Sequence, residues 1–377
     1  MPDRKLRQDT ADALSKLSDW SSSLAWADVP EDVRRRAALI LLDDFGAMVA
    51  ASNEPELNRM RESIAPGAGI AEATVFDGGR RRMDRYSAAL LNGTAADWCE
   101  LDSGYRPAVC HAGLYCFPAL LAEAEATEFT LRDVLLAFIV GYETVTRVAQ
   151  CFRFPDLILH PHAGFSTIGA TASIAKLRGL TGPETAKALC TGATLVLPGP
   201  FNHAVEGALV RNTWSGICAQ NGIRAVDWSS LGVSATSQAF SDVFVDIFGA
   251  RAKPSELSAK LGESWSVRDG YHKLHACCQF GHSVVESILN ALGHNNEVPA
   301  EAVEKVMVET HSKARKLDNP APKTTLAAKF SIQHIAATTI VFRHANVSAF
   351  SASTLEEPAL LSLRKKVEIL AFKPELD

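Results

Sequence analysis

None of the eight cysteines stands in a paired CxxC spacing, which removes the commonest zinc and redox motifs and any recognisable disulfide framework. They lie scattered at positions 99, 110, 116, 151, 190, 218, 277 and 278, mostly inside apolar text, as free thiols of a reducing compartment do. Positive charge is not in excess. Lys and Arg number 38 against 43 Asp and Glu, a formal net charge of −5, so there is no basic field for nucleic acid or an anionic membrane surface. No run of about 18 apolar residues is present, so no membrane-spanning helix is expected. The start, MPDRKLRQDTADAL, is charged and lacks the apolar stretch of a secretory signal. Repeats and low-complexity segments are missing too. These absences imply a cytoplasmic, soluble chain with neither membrane nor nucleic acid as partner.

What is present is an ordinary globular composition, 47% hydrophobic and 21% charged over 377 residues, enough for two domains. The first two-thirds read as helices. Pro30, Glu31 and Asp32 make a helical first turn, and Val33, Ala37, Ile40, Leu41, Phe45 and Met48 follow on one face. Stretches 112–126, 131–150, 166–178, 183–196 and 214–231 continue in this style, with Gly or Pro at the joins. The run STIGATASIA (166–175) is built of small residues that let helices approach closely, which predicts a buried central helix. A phosphate-cradling loop fits it less well, because no preceding strand or GxGxxG accompanies it.

Around 250–265 the text turns polar and loses its period, which predicts a domain junction. Beyond it, 282–293, 325–342 and 353–364 read as helices, while 304–311 and 365–372 alternate with period two and read as strands. The expected fold is therefore mainly α: a large all-helical domain over 1–255, then a small α+β lid domain over 256–377.

Five clusters could carry chemistry. Residues 99–118, CELDSGYRPAVCHAGLYCFP, crowd Glu100, Asp102, Arg106 and His111 into a Gly/Pro-punctuated loop between helix-like segments. A solvated helix connection is the other reading of the same residues. His160-Pro161-His162 precedes the small-residue helix, where the helix dipole favours a neutral imidazole suited to a general base. Two histidines at i and i+2 also suggest zinc, but no acid or thiol at a typical spacing joins them, so no metal is expected. Arg211, in GALVRNTWSG, is a candidate carboxylate clamp, since a guanidinium engages two oxygens at once. Lys273, His275, Cys277, Cys278 and His282 make KLHACCQFGHSVVESIL the densest polar cluster, with buried structural thiols as its plain alternative. AKFSIQH offers Lys329 and Ser331 at the head of an apolar helix.

At these clusters the sequence resembles the MmgE/PrpD family, which includes 2-methylcitrate dehydratase, cis-aconitate decarboxylase and iminodisuccinate epimerase. The matching text is AALLNGTAADWCELDSGYRPAVCHAGLYCFPALLAEAE, GYETVTRVAQ, HPHAGFSTIGATASIAKLRGLTGPETAKAL, GALVRNTWSGICAQNGIRAVDWSSLGV, KLHACCQFGHSVVESIL and AKFSIQHIAA, in the family's order. The resemblance implies that the family's acidic loop falls on Glu100 and Asp102. It places the following histidine on His111 and the histidine before the small-residue helix on His160. The basic residue of the next motif, often lysine in the family, is Arg211 here, and Lys273 and His282 match residues common across it. Cys278 stands where the decarboxylase-like branch has histidine and the epimerase-like branch has cysteine. Family members continue past the point where this chain ends, KVEILAFKPELD, which implies an incomplete small domain.

The implied activity is a cofactor-independent lyase, dehydratase-like, acting on a citrate-like di- or tricarboxylic acid by removing a proton beside a carboxylate. Glu100, Asp102, His111, His160 and Cys278 would act on the reacting atoms, and Arg106, Arg211, Lys273 and His282 would hold the substrate. Epimerisation or decarboxylation through Cys278 and His160, or a non-catalytic scaffold, are the alternatives. A homodimer is expected from the resemblance.

Overall fold

A computed structural model describes residues 3–79, 81–293 and 299–372. The chain divides into two compact units that interleave along the sequence. Unit 1 comprises 1–97, 102–200 and 212–272, and unit 2 comprises 98–101, 201–211 and 273–377.

Helices dominate. In chain order they are α1 (Arg4–Ser23), α2 (Glu31–Ala50), α3 (Pro55–Ile64), α4 (Arg85–Trp98), α5 (Ala112–Thr127), α6 (Leu131–Cys151), α7 (Pro161–Leu177), α8 (Gly182–Ala193), α9 (Asn202–Glu206), α10 (Trp214–Ser230), α11 (Ser255–Ser258), α12 (His282–Leu292), α13 (Ser312–Arg315), α14 (Thr325–Lys329), α15 (Ile332–Phe342) and α16 (Pro358–Arg364). The short strands are β1 (Ala73–Val75), β2 (Arg81–Met83), β3 (Gly104–Tyr105), β4 (Phe152–Arg153), β5 (Arg251–Ala252), β6 (Gly270–Tyr271), β7 (Val306–Thr310) and β8 (Val367–Ala371). The fold is mainly α.

Unit 1 is built around α7, which packs against α5, α6 and α10. Its small residues explain that position. A Cβ on Gly222 of α10 would stand 2.3 Å from the Cβ of Ala170, so these helix backbones meet where neither brings bulk. Ala170, Ile174, Ala175, Ala219 and Ile223 form the apolar centre there, each essentially without solvent contact. His160 caps the start of α7 by accepting the His162 N–H at 3.3 Å, and Pro161 occupies the first helical position, where its missing N–H costs nothing.

Two expectations change within unit 1. It is not purely helical: β1–β2, β3–β6 and β4–β5 form antiparallel pairs. Pairs of two or three residues are too short to leave a period-two trace. In addition, α6 is long and apolar enough, by length and composition, to cross a membrane. Thr, Gly, Glu and Arg interrupt its apolar text, so it is apolar on average without an unbroken apolar run. In this fold 83% of its most apolar window is buried inside the protein, which accounts for the composition without a bilayer. The polar stretch 250–265 folds within unit 1, where β5 pairs with β4 and α11 packs on α1 and α6.

Unit 2 carries the parallel pair β7–β8, in register from Val306 opposite Val367 to Thr310 opposite Ala371. The two period-two runs are thus partners. The apolar segment 325–342 is two helices rather than one. Ser331 takes extended backbone and accepts the His334 N–H at 3.0 Å, capping a fresh helix. Similarly, only Pro358–Arg364 of the 353–364 segment is α-helix, after a 3₁₀ turn over Ala352–Glu356.

Candidate functional site

The chain enters unit 2 at Trp98 and returns to unit 1 at Asp102, so the acidic loop contributes to both units. The turn requires Glu100 to adopt a left-handed backbone (φ 55°), a conformation that side-chain-bearing residues rarely take. Within unit 2 its carboxylate meets two cations. Oε1 lies 2.5 Å from the Arg211 guanidinium, and Oε2 accepts from Lys273 Nζ at 3.2 Å. All three residues are at most 5% exposed. Arg211 also stacks over the Phe330 ring at 5.3 Å. Lys329, equally buried, donates from Nζ to the Trp98 carbonyl at 2.7 Å, and its own carbonyl accepts the Cys278 N–H at 3.0 Å. The ends of α14 and α4 are thereby joined to the Cys278 segment.

Cys278 is a neutral thiol in this setting. Burial, reinforced by the charge of Glu100 and opposed by Lys273 and Arg211, pushes it up to about 12. Burial also pushes its neighbour Cys277 well up. His282 opens α12, with Nε2 3.3 Å from the Cys277 carbonyl. Burial first, then the charges of Lys273 and His275, lower it to about 4, so it is a neutral imidazole.

Unit 1 holds a second buried cluster. Asp102 Oδ2 lies 2.6 Å from His111 Nδ1, the residue that caps α5. His162, on the first turn of α7, has Nε2 3.1 Å from Asp97 Oδ1 and 4.0 Å from Asp102 Oδ2. Its Nδ1 lies 2.9 Å from the Tyr115 hydroxyl. Burial holds Tyr115 well above the usual phenol range, so the phenol stays protonated beside Nδ1. The ring of His160 packs 4.5 Å from that of His162 and 5.5 Å from Trp214, and His111 lies 4.8 Å from His162. A chain of acid, imidazole and phenol groups can relay a proton.

The expected residues thus fall into two sets. Glu100, Arg211, Lys273, Cys278 and His282 share the unit 2 cluster, while Asp102, His111 and His160 share that of unit 1. Arg106 joins neither: it is exposed, with its guanidinium 5.4 Å from the Tyr271 ring. Sequence reasoning passed over Asp97 and Tyr115 and weighed His162 only as a zinc ligand. Tyr115 stands four residues after His111, one helical turn along α5, which is the one signal the text offered. For a metal, Asp102, His111 and His162 offer ligand atoms within 4.8 Å of one another. The same atoms also meet as acid–imidazole pairs, which need no ion.

The described residues thus define a mainly helical protein with one buried carboxylate–cation cluster and one buried acid–imidazole cluster. Residues 15–256 match the MmgE/PrpD N-terminal domain and 275–374 the MmgE/PrpD C-terminal domain, and the chain belongs to the MmgE/PrpD family. A cis-aconitate decarboxylase-like protein, oryM, of Aspergillus oryzae is 28% identical across 73% of this chain and 60% of its own length. The cis-aconitate decarboxylase of Aspergillus terreus is 26% identical over 94% of this chain and 77% of the relative. The human cis-aconitate decarboxylase is 23% identical over 91% and 73% respectively. The chain therefore spans less than two-thirds of the Aspergillus oryzae relative.

Proposed function

We propose that the protein is a lyase for a citrate-like di- or tricarboxylic acid, working through charge stabilisation beside a carboxylate. One observation carries this reading: Arg211 and Lys273 converge, buried, on a single carboxylate, that of Glu100. Two cations preorganised around an anion in a dry site favour a substrate carboxylate and the enolate-like charge that develops next to it. Loss of CO₂ is the form best supported, because the curated relatives are named cis-aconitate decarboxylases and the Cys278 thiol holds its proton. In that step the C–C bond to the departing carboxylate breaks and its electron pair passes to the α-carbon. The remaining carboxylate, held by Arg211 and Lys273, spreads the charge. The Cys278 thiol then protonates the carbon and recovers its proton from solvent.

Loss of water is the second reading. The Asp102–His111 pair favours it, since an imidazole aligned by a carboxylate can pass a proton to a departing hydroxyl. Epimerisation through a Cys278 base is disfavoured, because a thiol pushed up to about 12 is a poor base at neutral pH. Assembly as a homodimer remains part of the proposal.

NMR-monitored incubation with cis-aconitate, citrate and 2-methylcitrate in D₂O tests these readings together. Decarboxylation gives a product one carbon shorter, dehydration gives an alkene of unchanged carbon count, and epimerisation gives deuterium without net loss. If none of the acids changes, the reading fails.

A further inference from the structure

Outside both clusters, one buried acid stands out. Asp44 on α2 has no solvent exposure, and both its carboxylate oxygens are engaged by one residue. The Ser103 N–H donates to Oδ1 at 2.6 Å and the Ser103 hydroxyl to Oδ2 at 2.9 Å. Ser103 directly follows Asp102, so this grip sets the backbone from which the Asp102 side chain projects. The other side of Asp44 faces the start of α5. A Cβ on Gly113 would fall 1.9 Å from Asp44 Oδ2 and 2.8 Å from Ser103 Oγ, so glycine leaves the niche this carboxyl fills. Gly113 stands two residues after His111. One side chain from α2 therefore holds the residue after Asp102 and fills the niche beside the second residue after His111.

An apolar residue would fill that space at lower cost, because burying a carboxyl is expensive unless its hydrogen bonds return something. Desolvation pushes Asp44 well above the usual carboxylate range, and the charges of Asp102 and Asp43 push the same way. Ser103 supplies the opposing hydrogen bonds.

We propose that Asp44 is a positioning residue: it locks Ser103 and so holds Asp102 against His111. This inference rests on the reading of that pair as the proton-transfer element of a lyase. It leaves Asp44 itself away from substrate. Aligned acid–imidazole geometry matters because a misplacement of about 1 Å can cost about 100-fold in rate.

The test uses the full chain carrying histidine labelled at Cε1, with His111→Gln identifying the His111 signal. Asp44→Ala removes both acceptors, whereas Asp44→Asn keeps the shape and one acceptor. In Asp44→Ala, the His111 ring signal at a fixed pH of about 7.5 is expected to move, because its Asp102 partner is no longer held in place. Turnover should drop about 100-fold with KM within about threefold, and Asp44→Asn should restore most of both. Ser103→Ala, which deletes only the hydroxyl, gives an intermediate shift and serves if Asp44→Ala does not fold. A folded Asp44→Ala or Ser103→Ala protein with an unmoved His111 ring signal overturns the inference. Absence of turnover in the unaltered protein would overturn the lyase reading instead, and the His111 ring signal would still decide the role of Asp44.

Discussion

Glu100 and Arg211 form a buried ion pair in which the acid stands in a left-handed backbone turn. A strained backbone persists only where its surroundings over-determine it. Here Arg211, Lys273 and the Lys329–Trp98 contact do so from three segments of unit 2.

Arg211→Ala should therefore weaken the fold as well as the site. Breaking a buried pair leaves a charge without its partner and costs about 3–5 kcal/mol. With Lys273 still in place, the lower end of that range is expected in chemical denaturation. Carboxylate ligands should no longer raise the melting temperature of the variant. Arg211→Lys should recover stability better than ligand affinity, because it restores the charge without the planar fork.

Cys278 should resist alkylation in the folded protein, because a thiol that keeps its proton is a poor nucleophile. Its thiol is buried and held up to about 12. Iodoacetamide at pH 8 should leave it unmodified for hours under native conditions and label it promptly in denaturant, as read by peptide mass spectrometry. Rapid native labelling would mean an accessible thiolate, and would return the epimerase reading to consideration.

Acid should destabilise unit 2 through His334. This side chain has no solvent exposure, and burial, followed by the charge of Arg364, lowers it from 6.5 to about 4. The folded state thus binds a proton less readily than the unfolded chain. Stability from the neutral ring is complete above pH 6.5 and is lost as pH falls toward 4, by about 3 kcal/mol in all. Denaturation of the unaltered protein and of His334→Leu at pH 7.5 and 4.5 isolates this contribution. The variant should show the shallower loss. Asp44, whose carboxyl is pushed up, contributes with the opposite sign and is common to both proteins.

Chelation should leave activity intact. Asp102, His111 and His162 could hold an ion, but their Asp–His contacts are already made at 2.6 and 3.1 Å. Dialysis against EDTA, followed by elemental analysis and assay, should show unchanged turnover. A loss restored by zinc alone would reassign these three residues as ligands.

Much of this arrangement was legible in the chain itself, and the exceptions have physical causes. Helices such as α2, α5 and α10 announce themselves because apolar period and terminal residues are local properties. The small residues of α7 were informative for the same reason: close approach demands them wherever the partner lies. Glu100, Arg211 and Lys273 could be singled out because charge in apolar text needs an explanation, but their mutual contact arises between segments more than 100 residues apart. Asp44 and Asp97 stayed hidden because an acid on a helix reads as solvated until its neighbours are known. The break before Ser331 was half legible: its polar pair marks the head of a helix, but apolar text on both sides joined that helix to the one before it.

The burial of α6 has a consequence for synthesis. Its covering partner α7 ends at Leu177, 26 residues after the Cys151 that closes α6. At about 5–20 residues per second, the ribosome takes about one to five seconds to complete that partner, and until then α6 has only the helices made before it to pack on. Its composition would suit a bilayer span, so the order of synthesis leaves one face of a membrane-like helix waiting for the segment that buries it.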